Sequence, residues 1–557
     1  MLSIYSKDTP FKVYCHNCWW SDKWNPMDYG RDYDFSKPFF QQFREFLELV
    51  PQSALQTMYT TFVNSDYCNI ASYLKNCYLL FNSDYDENCA YSTYLENSKK
   101  SLDIFMGDLN ELCYNSSNTF KDYKTLYSFN CNECINIYFS RNLLNCSDCI
   151  GCINLRNKKY HIFNQPYAKE EYLKKLSEFD FTSYNNVEKF KIKFNEFSLN
   201  YPRKHAEGLN NNNVSGDYVF NSKNAHKCYE VGKCENIKYC QFLFMLLTKD
   251  SYDMTMWGGN ASRMYECMGA GDGEDNVKFS YNCWGNAMNL DFCSHILAQN
   301  NNLFACYGLR KQEYCIFNKQ YSKEEYEVMR EKIIDHMNEM PYISRAQISS
   351  DDTQINSDNI NENLRDNPRK SEIVYKYGEF FPPELSPFAY NETIAQEYFP
   401  LTKEQAIEQG YSWKDPEERN IPITIKSEDL PDNIKEVDDF LLSQIIECDH
   451  KGICNEQCTK AFRVISSELE FYRDLGIPIP RLCPNCRHYQ RLKWHNPIKF
   501  YKRKCQCAGT KSENGVYQNT TTHQHGEGHC PNQFETTYSP DRPEIVYCEQ
   551  CYNNEVA

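Results

Sequence analysis

The 557 residues predict a mainly β chain: a duplicated β-helix, or related β-solenoid, in two halves, each closed by a capping helix. Three observations predict this. Residues 152–172, CINLRNKKYHIFNQPYAKEEY, recur as 306–326, CYGLRKQEYCIFNKQYSKEEY, with 12 of 21 positions identical at an offset of 154. Upstream, KKSLDIFMG (99–107) answers to TKDSYDMTMWG (248–258). Within the first copy, Cys68, Cys89, Cys113, Cys131 and Cys152 stand 21, 24, 18 and 21 residues apart, and runs such as YLLF, LDIF and INIYF are separated by Asn, Asp, Ser and Cys. Segments this short, with polar turns and a period near 20, suit coils that stack like side chains in ladders.

The elements follow in order. Residues 1–60 carry a Cys-x-x-Cys hairpin at Cys15 and Cys18, then a helical segment. Residues 61–200 and 201–344 are the solenoid halves, ending in YAKEEYLKKLSEF (167–179) and YSKEEYEVMREKIIDHM (321–337), whose helical spacing and early Glu residues read as caps. Residues 345–370 have almost no apolar content and predict a flexible linker. Residues 371–447 form an aromatic, Pro-rich extended segment with short helices expected at 402–410 and 434–445. Residues 448–504 and 505–557 are small cysteine modules. Asn, Lys, Ile and Tyr are prominent, as an AT-rich genome would produce.

The chain has 29 Cys, no basic-then-apolar leader and no apolar run of about 18 residues, which predicts reduced thiols in a soluble, cytoplasmic protein without membrane contact. The net charge of −16 argues against a protein that coats nucleic acid with its whole surface, and leaves room for a local basic face. Solenoid cysteines such as Cys131, Cys134, Cys146, Cys149 and Cys152 lie within the repeat, which predicts core ladders over metal ligation.

In CNEQCTKAFRVISSELEFYRDLGIPIPRLCPNCR, Cys454 and Cys458 face Cys483 and Cys486 across about 25 residues, the arrangement a tetrahedral Zn²⁺ asks for. The first pair has three intervening residues instead of two, and Cys448 with His450 stands just upstream as a substitute. A second site ends at Cys548 and Cys551, with Cys530 and either Cys507 or Cys505 as partners; His523, His525 and His529 lie in the insertion between, where a solvated loop is the favoured reading. Two structural zinc ions are therefore expected. Residues 3–20 repeat the hairpin of 536–553 without its upstream half, so Cys15 and Cys18 make a half-site, and packing by Trp19, Trp20 and Trp24 is expected to hold it.

Residues 454–487 resemble a zinc-ribbon family with a CPxCR knuckle, through Phe462, Glu470, Phe471, Tyr472, Pro480, Cys483, Pro484, Cys486 and Arg487; the widened first pair is the departure. The whole order resembles a group of zinc-ribbon and β-solenoid proteins from small-genome candidate-phyla bacteria, a resemblance that implies no activity.

From Arg481 to Gln506 no residue is acidic. Arg487, Arg491, Lys493, Lys499, Lys502, Arg503 and Lys504 interleave with aromatics including Trp494, a pattern that neutralises phosphates and stacks bases. The alternative is a basic helix docked on the protein's own acidic surface. GxSxG, HExxH, phosphate-loop and dinucleotide motifs do not occur. The sequence thus predicts a non-enzymatic zinc-binding scaffold whose ribbons contact nucleic acid or a ribonucleoprotein. The rivals are a protein–protein scaffold or assembly subunit and, below it, a hydrolase working in the solenoid groove.

Overall fold

A computed structural model describes residues 2–243, 247–269, 271–283, 285–344, 373–415 and 420–556; the linker expected at 345–370 lies outside them. In the first solenoid, parallel strands pair Tyr78 with Ala90, Ala90 with Leu102 and Leu102 with Tyr114. A coil is therefore 12 residues here, not the period near 20 expected from cysteine spacing. The cause is a left-handed corner at every third residue. From Asn64 to Phe163, each third residue has φ between 43° and 64°. Four corners close one coil.

The residue after each corner points inward, and all of these are buried from Ser65 to Cys152. Coils so narrow admit small side chains, which is why the nine cysteines of this span all stand at this position, at intervals divisible by three. Buried hydroxyls and thiols satisfy themselves along the ladder. Ser92 donates to the Ala90 carbonyl at 3.0 Å and accepts from the Ile104 N–H at 2.9 Å; Cys77 donates to the Lys75 carbonyl at 3.3 Å. Ladders of core thiols are thus what the fold makes of them.

The corners explain much of the asparagine. Of the 34 corners between Asn64 and Phe163, 13 are Asn, the residue besides glycine that best tolerates this backbone. Their amides link successive coils, Asn64 to Asn76 at 2.9 Å and Asn76 to Asn88 at 3.1 Å. The second solenoid starts with an 11-residue step, Gly208 to Val219, takes the 12-residue step at Asp217 to Tyr229, and widens to 13 as at Ser262 to Asp275.

The chain forms two compact units, each discontinuous: Met1–Ala54 with Ala206–Pro416, and Leu55–His205 with Glu417–Ala557. Within each unit the last coil is capped by aromatics. In one, helix Tyr184–Ser198 lays Phe190 and Phe197 on Phe163 at 5.4 and 5.1 Å. In the other, helix Phe39–Leu49 lays Phe39 and Phe46 on the repeat-related Phe317 at 6.0 and 5.2 Å. The expected caps form as Lys169–Leu176 and Lys323–Glu339, the latter started by a Ser322/Glu325 capping box. The helix expected at 402–410 is Lys403–Glu408. That expected at 434–445 is instead two 3₁₀ turns, Ile434–Glu436 and Asp439–Ser443, because Asn433 and Asp438 accept N–H groups two residues on and cap separate turns.

Two carboxyls bear on stability. Asp122 occupies an inward position, and burial pushes its pKa up to about 8; burial likewise raises Glu96 to about 7. Their folded pKa values exceed the unfolded ones, so this contribution is intact below about pH 4 and is lost as pH rises towards 8. Asn110 holds the preceding rung of the same ladder, donating to the Thr119 carbonyl at 2.8 Å. Asp122→Asn is expected to raise stability at pH 8 by about 2–4 kcal/mol and to change it little at pH 4. Urea melts at both pH values check this, and an equal effect at both would contradict it.

Candidate metal centres

Each C-terminal ribbon is assembled from a two-stranded pair and a helix that starts at a knuckle. In the first, Ile446–Glu447 pairs with Ala461–Phe462, and helix Pro484–Leu492 begins just after Cys483. In the second, Tyr501–Lys504 pairs with Gln533–Thr536, and helix Glu549–Val556 begins just after Cys548. The first N–H groups of each helix have no intrahelical partner, so each knuckle can aim sulfur and amide at one point; Pro484 opens the first helix and Glu549 the second.

The first tetrad is Cys448, Cys458, Cys483 and Cys486. Cys448 and Cys486 sulfurs lie 3.8 Å apart, Cys458 and Cys483 sulfurs 4.0 Å. The second is Cys505, Cys530, Cys548 and Cys551, with Cys530 and Cys548 sulfurs 3.9 Å apart. Bonds of about 2.3 Å at tetrahedral angles would set sulfurs about 3.8 Å apart, so both tetrads can hold a metal ion. Backbone amides support the thiolates: Cys483 N–H donates to Cys448 at 3.3 Å and Cys548 N–H to Cys505 at 3.2 Å. Contacts with Cys448 and Cys486 hold the Cys483 thiol well below its usual range, as contacts with Cys505 and Cys551 do for Cys548.

The ligand sets differ from the expected ones at two positions. Cys448 takes the place given to Cys454, and Cys505 the place given to Cys507. In each case the cysteine directly following the first short strand joins the tetrad, while the later one joins a second group. Those groups are His450, Cys454, Glu456 and Cys486, and Cys507, His523, His525 and Cys551. The second set corrects the reading of His523 and His525 as a solvated loop; His529 joins none of the groups. The common form Cys-x-His (448–450) and Cys-x-Cys (505–507) was the signal in the sequence.

Cys15 and Cys18 belong to none of the four groups. Their hairpin is held by packing: Trp19 is buried, meets Trp24 at 4.6 Å and Tyr307 at 5.8 Å, and lies against Gly308. The matching residue of the other hairpin, Tyr552, donates to Asn154 at 3.0 Å, and Asn154 is the repeat counterpart of Gly308. Strand pairing matches too, Val13 with Gln52 and Val546 with Arg203. The same hairpin thus docks on the same rung in each unit.

The basic strip divides. Arg487 and Arg491 stand one turn apart on the knuckle helix and are buried against the solenoid, each 2.9 Å from Asp103. Glu468 lies 3.3 Å from Arg487 and accepts hydrogen bonds from Tyr91 at 2.8 Å and Tyr472 at 2.6 Å. Two guanidiniums and two carboxylates make a neutral, buried clamp. Arg487 and Arg491 are therefore not available to nucleic acid, contrary to the expectation for them. Trp494 packs edge-on to Phe129 at 6.1 Å, and Arg503 donates to the Ser539 carbonyl at 3.1 Å. Lys493, Lys499, Lys502 and Lys504 are exposed.

No family model and no curated protein matches this chain. Among solved structures, a crystal structure described as a "putative acetyltransferase" from Desulfovibrio desulfuricans G20 aligns at 10% identity over 48% of this chain and 71% of that one, with a TM-score of 0.10. A score that low carries no argument about fold or activity. No helix among the described residues is long and apolar enough to cross a membrane.

Proposed function

We propose that the protein is a non-enzymatic scaffold, a β-solenoid stapled by structural zinc in its C-terminal ribbons. The observation that carries this reading is the coupling of each tetrad to a helix start, and of the first such helix to a buried arginine clamp. Four thiolates at tetrahedral spacing favour zinc by donor chemistry, and a closed sphere leaves no position for a reacting water. The reduced thiols that such ligation uses persist most readily in reducing compartments, which supports a cytoplasmic location.

The partner, on this reading, is a nucleic acid or ribonucleoprotein. What supports it is the exposure of Lys493, Lys499, Lys502 and Lys504 on a metal-held module. The test is fluorescence anisotropy with labelled single-stranded RNA and duplex DNA at two salt concentrations. Binding that falls steeply with salt is expected, with the log–log slope reduced by about 3 when all four lysines become Gln. No binding at low salt would turn the reading to a protein-assembly scaffold. Salt-insensitive self-association would support that alternative.

A further inference from the structure

We propose that each C-terminal ribbon is a binuclear centre, two metal ions bridged by one thiolate: Cys486 in the first ribbon and Cys551 in the second. This rests on reading the tetrads as metal sites and adds a second ion to each.

The four groups fall into two pairs, and each pair shares a single residue, the second cysteine of its knuckle. Cys486 lies 3.8 Å from Cys448 of the thiolate tetrad and 3.7 Å from Cys454 of the other group, so one sulfur faces both sets. The order along the chain is also the same. The residue two beyond the first tetrad ligand, His450 or Cys507, enters the second group, and the intervening loop supplies two more ligands, Cys454 and Glu456 or His523 and His525. Two modules with unlike loops arrive at one plan.

Independent observations point these side chains at an ion. His523 is 3% exposed. Its Nε2 is bound to the Glu555 carboxylate at 2.8 Å, while its Nδ1 faces the Cys507 sulfur at 3.2 Å. His525 mirrors it, with Nδ1 on the Gly528 carbonyl at 2.9 Å and Nε2 facing the Cys551 sulfur at 3.4 Å. In each ring one nitrogen is occupied by an outer acceptor, which leaves the other lone pair directed among sulfurs. That is the carboxylate–histidine and carbonyl–histidine support which metal-bound imidazoles use. In the first ribbon, Glu456 is 8% exposed, and its Oε2 lies 3.0 Å from the Nδ1 of His450 with neither atom in a hydrogen bond. A carboxylate oxygen and an imidazole nitrogen brought this close outside hydrogen-bond geometry fit a shared cation, while the other Glu456 oxygen is held by Lys493 and accepts from Gln490 at 3.2 Å. Mixed Cys, His and Glu donors suit Zn²⁺ at both added positions.

Native mass spectrometry of the full chain, reconstituted with Zn²⁺ alone, counts the ions. Four per chain are expected. Two per chain would overturn the binuclear assignment and leave the thiolate tetrads intact, whereas none would overturn both. His523→Ala combined with His525→Ala is expected to lower the count from four to three; an unchanged count of four would also overturn the assignment. Cadmium NMR of the cadmium-substituted wild type gives a readout free of variants. Cadmium–cadmium coupling through the shared sulfur is expected within each ribbon, and uncoupled resonances would contradict the bridge.

Discussion

Stripping the metal with a strong chelator is expected to unfold residues 448–556 while the coils of 206–344 stay folded. The ribbons' own secondary structure is slight, with strand pairs two and four residues long, so apart from the Arg487/Arg491 clamp and its apolar surround the metal is expected to carry the local order. Structural thiolate sites contribute about 10–16 kcal/mol of apparent binding energy, as much as the whole stability of a typical domain. Limited trypsin digestion before and after chelation checks this. New cuts after Lys499, Lys502 and Lys504, with a surviving core from the second solenoid, are expected. Unchanged resistance of 448–556 would refute a structural role for the metal. Acidification should act in the same direction, because protons compete with the ion for sulfur.

Replacing Asp103 by Asn is the second large effect, an expected loss of about 3–5 kcal/mol. Asp103 sits at a corner with φ 58°, which Asn also tolerates, so the substitution removes charge without straining the backbone. Arg487 would then keep Glu468, and Arg491 would keep the Tyr91 carbonyl at 3.2 Å but no carboxylate, in a site closed to water, where an unpaired buried cation is costly. Combining Asp103→Asn with Arg491→Gln is expected to recover part of the loss, giving a coupling of about 1–3 kcal/mol in a double-mutant cycle. Purely additive effects in urea melts would show that the clamp does not act as a pair.

How much of this was legible follows from where the signal lies. The duplication and the solenoid were visible because identical residues recur at one offset. The coil length was not, because attention to cysteines alone reads multiples of three as a period near 20; the inward position between Cys68 and Cys152 also takes Ser, Ala, Leu, Thr, Ile, Asp, Asn and a glycine. The asparagines looked like genomic bias until their backbone showed a steric reason. The knuckles at Cys483–Cys486 and Cys548–Cys551 were plain from spacing, while their partners were not: Cys448 and Cys454 are both within reach in sequence, and the fold of a short loop decides between them. The fate of Arg491 was hidden for a different reason. Its partner Asp103 is 388 residues away, and nothing local distinguishes an arginine that meets phosphate from one that meets a buried carboxylate.

In the proposed scaffold, metal would fix the Cys483–Cys486 knuckle, the knuckle helix Pro484–Leu492, and the helix the clamp of Arg487 and Arg491 on the first solenoid. Hydrogen exchange on the full chain, metal-loaded and metal-stripped, tests it most directly. Metal loss is expected to raise exchange in the helix and also in strand Leu102–Asp108, which carries Asp103, and its neighbour Ala90–Glu96. Exchange that rises in the ribbons alone, with those strands unchanged, would contradict it.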